Sequence, residues 1–416
     1  MVTEHRDRRR RVVVTGLGIV APNGRDLETF WSSICRGDSA GSPVTRFDTS
    51  KLPSTIAAEI KDWDFGDRKK SRRFDLSIQY ALSAAGAALK DSNITWDNVD
   101  PERVGIVEAC SVGGMESSMR GQTIYETRGY RAMSPFTMIN AYCGGGSGEV
   151  ALELGIKGHA VTYSSGSASG NDALGYAYRM VRDEEVDVMV AGGAEAPLLA
   201  PLYGAFCLMR VMTVHNDDPK GAMRPCDKSR DGFLLGEGSA FLVLEELSHA
   251  LSRGAKIYAE ICGHGRACEA YHSVAVHPEG VGMVRAIQKA LRDAHIVPEQ
   301  VEYINMHGTA TGTNDLVETV AVKKSFGGHA RRLALSSTKP ITGHLLAAAG
   351  ALEALICTLA IHRQMIPMTA NLKDPEIDCD LDYVMGKSRA YPLQTVLNMN
   401  VGFGGKNSCL VFRRYQ

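Results

Sequence analysis

The sequence has no charge of dominant sign. Its 46 Lys and Arg stand against 47 Asp and Glu, a formal net charge of -1. So even a balance argues against the cationic face that holds nucleic acid or another polyanion. The basic run Arg6, Arg8, Arg9, Arg10 and Arg11 is too short to change this and reads as a solvated arm. The 10 cysteines include no C-x-x-C pair, which excludes a disulfide framework read from spacing and fits reduced thiols in a cytoplasmic enzyme. Cys262, His264, Cys268 and His272 lack a standard zinc spacing, so no metal is expected. No apolar run approaches the length of a membrane span, and no signal peptide opens the chain; a membrane role is not expected.

Two nucleotide motifs are also missing. Gly16-Leu17-Gly18-Ile19-Val20-Ala21 is formally G-x-G-x-x-A, but Pro22 and Asn23-Gly24 turn the chain where a dinucleotide-binding helix would begin. Gly144-Gly145-Gly146 lacks the G-K-[ST] ending of a phosphate loop and reads as close backbone packing within an irregular stretch, 115–150.

What is present is a long α/β pattern. At 416 residues the chain exceeds one small core, and its 43 glycines cluster at strand ends. Strand signals at Val12–Thr15, Val104–Ala109, Ala160–Tyr163, Val186–Val190, Ala240–Leu244, Ile257–Cys262, Val301–Asn305, Leu333–Leu335, Val396–Asn400 and Cys409–Arg413 alternate with polar loops and helices. The helices are expected at Asp26–Cys35, Ser77–Asp91, Asn171–Asp183, Met283–Ala294 and Leu345–Ile361. Such cycles occur on both sides of about residue 255, although no sequence repeat marks them.

One cycle centres on Ser164-Ser165-Gly166-Ser167-Ala168-Ser169-Gly170. A strand, a turn of small residues and a helix lift one side chain clear of a sheet. They also set it at a helix N-terminus, where free N–H groups favour negative charge. Ser167 is the lifted residue. The plainer reading is a serine-rich helix cap. The lipase elbow G-x-S-x-G does not apply, because the middle of Gly166–Gly170 is Ala168.

His307 and His344 each follow a strand and sit among small or polar neighbours. A lone histidine there is commonly structural. Two neutral imidazoles aimed at one point form an oxyanion site for an enolate. Their separation has no metal spacing.

Several motifs together carry a family likeness. They are Val13-Val14-Thr15-Gly16-Leu17-Gly18, Ala191-Gly192-Gly193-Ala194-Glu195, Arg230-Asp231-Gly232-Phe233 with Gly236-Glu237-Gly238, Asn305-x-His307-Gly308-Thr309-x-Thr311, Ser337-Thr338-Lys339, Thr342-Gly343-His344, and Gly402-Phe403-Gly404-Gly405-x-Asn407. The chain resembles the β-ketoacyl-acyl-carrier-protein synthases of the thiolase fold over nearly its whole length. The resemblance implies an α/β, five-layered αβαβα architecture of two similar halves, 1–255 and 256–416. It implies a homodimer and a substrate carried on the phosphopantetheine of an acyl carrier protein, with no further cofactor. It implies catalytic roles for Ser167, His307 and His344 and supporting roles for Thr309 and Thr311. Lys339 with Glu353 would hold the loop of His344, and Asp315 the loop of His307. Phe403, beside Gly404, would gate the substrate pocket.

The departure is at the nucleophile. The family places Cys where this chain has Ser167, and Thr where it has Lys406. Cys is the good nucleophile near neutral pH, whereas a serine hydroxyl needs a dedicated base. Decarboxylation of a malonyl thioester needs no nucleophile, only a dry pocket and donors on the thioester oxygen. The chain thus resembles the decarboxylases of polyketide β-branching cassettes, which make acetyl-carrier protein for a hydroxymethylglutaryl-synthase-like (HMG-synthase-like) partner. Left open are a condensing synthase or an acyltransferase using Ser167, and a non-catalytic partner like a chain-length factor.

Overall fold

The computed structural model describes residues 9–416. Ten strands form one sheet. They are β1 (Val12–Val20), β2 (Val104–Ala109), β3 (Ala160–Tyr163), β4 (Val188–Glu195) and β5 (Gly238–Glu246), then β6 (Ala259–Cys268), β7 (Tyr303–Asn305), β8 (Ala334–Ser336), β9 (Thr395–Gly402) and β10 (Lys406–Arg413). Their order is β8-β7-β9-β10-β6-β1-β5-β4-β2-β3. Outward from the β1–β6 seam, each half runs first, fifth, fourth, second, third. The first strand is antiparallel to the fifth, the fifth antiparallel to the fourth, and the fourth, second and third are parallel. The seam is short: Val12, Val13 and Val14 pair with Ile261, Glu260 and Ala259.

Five helices layer this sheet: α1 (Leu76–Asp91), α2 (Ser169–Arg182), α3 (Val281–Asp293), α4 (Asn314–Phe326) and α5 (Ala349–Arg363). Asp75 caps α1 by accepting Ser77 N–H. Helix α1 covers β1, β5 and β4, while α3 covers β6 and β10 and packs on α4. Between the half-sheets lie α2 and α5, which touch each other and strands of both halves. The layers are therefore αβαβα, the mixed α/β class expected. The buried strands read as continuous apolar runs because helices cover both faces.

Small residues set the closest approaches. A Cβ on Gly18 would lie 1.9 Å from the Ala84 carbonyl oxygen of α1, and one on Gly16 2.2 Å from that of Ala88. The G-x-G thus stays inside β1 and serves helix packing. At the α2–α5 crossing, a Cβ on Gly170 would meet Ala351 N at 2.3 Å.

Three expectations need correction. Residues 115–150 are not irregular; they carry helices Met115–Arg128 and Thr137–Ala141 and the start of Gly145–Leu154. Their polar, glycine-bearing sequence hides the helical period, and packing on the rest of the chain supplies the stability. Gly146 does pack closely, a Cβ there falling 2.2 Å from the Glu108 carboxylate. The stretch Leu346–Arg363 is long and apolar enough to cross a membrane by length and composition, but 89% of it is buried, as the inner helix layer. Arg10 and Arg11 do not form a free arm: half-buried Arg10 pairs with Asp187 at 2.7 Å, and Arg11, though exposed, pairs with Glu260 at 2.8 Å. Arg9 is exposed, and Arg6 and Arg8 lie outside the described residues.

Gly18→Ala forces α1 away from β1. The expected cost is about 1–3 kcal/mol, read as a lower denaturant midpoint with unchanged slope.

Candidate active site

Ser167 stands where β3 gives way to α2. Gly166 turns the chain with φ 65°, a left-handed conformation that glycine takes freely. Ser165 N–H donates to Ser169 Oγ at 2.7 Å, and that hydroxyl donates to the Gly166 carbonyl at 2.6 Å. These bonds fix the turn and leave Ser167 Oγ projecting at the helix N-terminus. Gly402 lies over the turn, since a Cβ there would sit 2.5 Å from Ser165 O.

The Ser167 hydroxyl lies 2.9 Å from His344 Nε2. The rings of His307 and His344 are 5.5 Å apart and nearly perpendicular. Both face one cavity of about 400 Å³, which Ser167, Phe206, Phe233, Thr309, Thr311, Leu346 and Phe403 also line. Burial, with Lys339 nearby, pushes both histidines well below their ordinary 6.5, so each is neutral at pH 7.

His344 Nδ1 is buried and has no hydrogen-bond partner. A buried N–H without an acceptor is rarer than an unfilled lone pair. The lone pair therefore belongs on Nδ1 and the proton on Nε2. His344 then donates toward Ser167 and the cavity, and no carboxylate stands behind it as in a Ser-His-Asp triad. Its backbone is pinned by His344 N–H to Leu234 O (2.7 Å) and Gly236 N–H to His344 O (3.0 Å), and Phe233 packs edge-on against its ring at 5.1 Å.

The remaining expected residues sort by place. Lys339 and Glu353 form a fully buried ion pair outside the cavity lining. Asp315 accepts Ala310 N–H at 3.2 Å and Cys226 N–H at 2.8 Å, holding the loop that contains Ala310 at φ 59°. Thr309 and Thr311 hydroxyls are 3.0 Å apart. Phe403 is 41% exposed at the cavity mouth. Gly404 does not line the cavity; its N–H donates to Ser273 O at 2.8 Å. Cys262, His264, Cys268 and His272 do not converge among the described residues: His264 faces Ser408 Oγ at 3.1 Å, and His272 lines the cavity.

Sequence reasoning missed two side chains. Glu318 accepts the N–H of His307 at 2.5 Å and of Gly308 at 2.8 Å, so it grips the His307 turn more directly than Asp315 does. Its place three residues after Asp315, on one face of α4, was a readable signal. Asn400 donates to Glu353 Oε2 at 2.6 Å and lies 3.5 Å from His307 Nδ1. An amide inside an apolar strand was the signal there.

Comparison with known proteins agrees with this geometry. A family model described as Beta-ketoacyl synthase, N-terminal domain matches residues 9–250, and its C-terminal counterpart matches 258–373. A Synechocystis protein named 3-oxoacyl-[acyl-carrier-protein] synthase 2 is 41% identical over 98% of this chain and 99% of its own. A Coxiella burnetii protein of the same name is 42% identical over the same shares. A solved type II polyketide-synthase acyl-carrier protein in complex with its ketosynthase, bound to the hexaketide, matches with TM-score 0.91 at 33% identity, covering 98% of this chain and 100% of that one.

Two outcomes test the buried charges. Lys339→Met, which strands Glu353, is expected to cost about 3–5 kcal/mol, and the double variant Lys339→Met/Glu353→Leu much less. For pH, each histidine is lowered in the fold, so its contribution is complete above about 6.5 and is lost as pH falls toward the folded value. Glu108, Glu195 and Glu318, pushed up to about 8 by burial, act oppositely between 4.5 and about 8. The histidine part is therefore isolated by difference. Below pH 6.5, denaturation of a His307→Gln/His344→Gln variant should lose up to about 1.4 kcal/mol per pH unit per histidine of the wild-type slope.

Proposed function

The chain belongs to the β-ketoacyl synthase family, and from that premise we propose that it decarboxylates malonyl-carrier protein to acetyl-carrier protein without forming an acyl-enzyme. One observation carries the reading. Two neutral buried imidazoles face one cavity, and the residue at the nucleophile's turn is a serine whose hydroxyl oxygen, in the Nε2–H tautomer of His344, accepts a hydrogen bond from that ring, so that no base stands ready to take its proton.

The chemistry follows. The malonyl group enters past Phe403, with its thioester oxygen between His307 and His344. The apolar wall of Phe206, Phe233 and Leu346 strips water from the carboxylate. The bond between the carboxylate carbon and the α-carbon breaks, carbon dioxide leaves, and the electron pair moves to the enolate oxygen under the two N–H donors. With no acyl-enzyme to attack, the enolate carbon takes a proton from water. Ser167 keeps the pocket polar and orients the thioester. The acetyl product would serve the HMG-synthase-like partner of a β-branching cassette, in the cytoplasm.

A homodimer belongs to the same reading. Tyr125, Tyr130, Met138, Tyr142 and Leu152 are exposed apolar side chains in the segment between β2 and the open edge strand β3, and a second copy would cover them.

Condensation through Ser167 is the second reading. The relatives' printed names favour it.

Purified protein is incubated with malonyl-carrier protein alone and the carrier weighed by intact mass spectrometry. Loss of one carbon dioxide is expected. It should slow about 100- to 1,000-fold in His307→Ala or His344→Ala and persist in Ser167→Ala. An unchanged malonyl carrier sinks the reading; a covalent acyl group on Ser167 transfers it to condensation.

A further inference from the structure

Asn400 lies on β9 and is fully buried, on the same face as Asn398 two residues before it. Its side-chain nitrogen has three neighbours: Glu353 Oε2 at 2.6 Å, the Met399 carbonyl at 2.9 Å and His307 Nδ1 at 3.5 Å. Its oxygen has none. The carboxylate fixes which way the amide points. Exchanging oxygen and nitrogen would set Asn400 Oδ1 against Glu353 Oε2 with no proton between them. Glu353 is in turn held by Lys339 on its other oxygen. Gly350 completes the site, because a Cβ there would come within 2.4 Å of Asn400 Oδ1.

The amide nitrogen lies against His307 Nδ1; its two hydrogens are directed first to the shorter Glu353 and Met399 contacts, and it has no lone pair to accept a proton from Nδ1. A neutral imidazole has one protonated and one bare nitrogen. A proton on Nδ1 would face a nitrogen that cannot accept it, so Nδ1 is the bare nitrogen and the proton goes to Nε2, across the ring on the cavity side.

We propose that Asn400 is a positioning residue that fixes His307 in its Nε2–H tautomer, so that the imidazole is a donor to the cavity before substrate arrives. The catalytic consequence rests on the decarboxylase reading; the tautomer does not. The two histidines are then set differently. The ring nitrogens of His344 have only the Ser167 hydroxyl as hydrogen-bond partner, whereas His307 is held from behind through Lys339, Glu353 and Asn400.

The test uses the full chain labelled with ¹⁵N-histidine, in which long-range ¹H–¹⁵N correlation distinguishes protonated from bare ring nitrogens. His307 signals are assigned by their loss in His307→Gln. Wild type should carry the proton on Nε2. Asn400→Asp replaces the donor with an acceptor and should move the proton to Nδ1; Asn400→Leu removes the donor and should give a mixture. With malonyl-carrier protein, kcat of Asn400→Asp should fall about 100- to 1,000-fold with KM little changed. A wild-type proton on Nδ1, or a tautomer unmoved in both variants, overturns the proposal. If neither variant folds, the wild-type spectrum decides alone. A tautomer that moves in a protein without decarboxylase activity refutes the decarboxylase and leaves the assignment of Asn400 standing.

Discussion

The Lys339–Glu353 ion pair is the interaction on which the site depends. Both charges are out of water, so each is tolerated only while the other stays in place. Lys339 begins the short helix leading into His344, Glu353 lies on the inner helix α5, and Glu353 binds Asn400 of β9. One buried pair thus fastens three elements around two histidines. Burial first, and the same ammonium after it, keep protons off both imidazoles. Structure and protonation state have a common origin here.

Around that pair the molecule uses carboxylates to hold loops. Glu318 takes the N–H groups of the His307 turn, Asp315 those of Ala310 and Cys226, and Glu195 that of Val112 in the cavity wall at 3.3 Å. Loops that carry chemistry would otherwise leave backbone donors unpaired beneath the surface, at a cost of about 1–3 kcal/mol each. Acidic side chains in the first turns of α4 and at the end of β4 meet that need.

Much of this was legible before the structure. The strand at Ala160–Tyr163, the glycine turn and the following helix predicted where Ser167 would stand, because small residues and a β-rich run constrain the backbone locally. The helix Leu76–Asp91 was readable from its alanines and its aspartate cap. The segment 115–150 was not, because its helices lie half exposed and carry no strong apolar stripe. Asn400 and Glu318 were readable only as polar positions on buried elements; their roles were not, because their partners are far along the chain or are backbone amides. Leu346–Arg363 shows the limit of composition: what covers an apolar helix, lipid or two half-sheets, is a property of the whole fold.

The repeated strand order gives the two halves a shared system of addresses. Ser167 follows the third strand of the first half, and His344 follows the third strand of the second. Ser111 and Val112, which line the cavity, follow the second strand of the first half, and His307 follows its counterpart. The reactive groups thus stand on two corresponding pairs of loops with different contents. The backbone that carries Ser167 and the backbone that carries His344 belong to different halves, and the two side chains meet across the cavity at 2.9 Å.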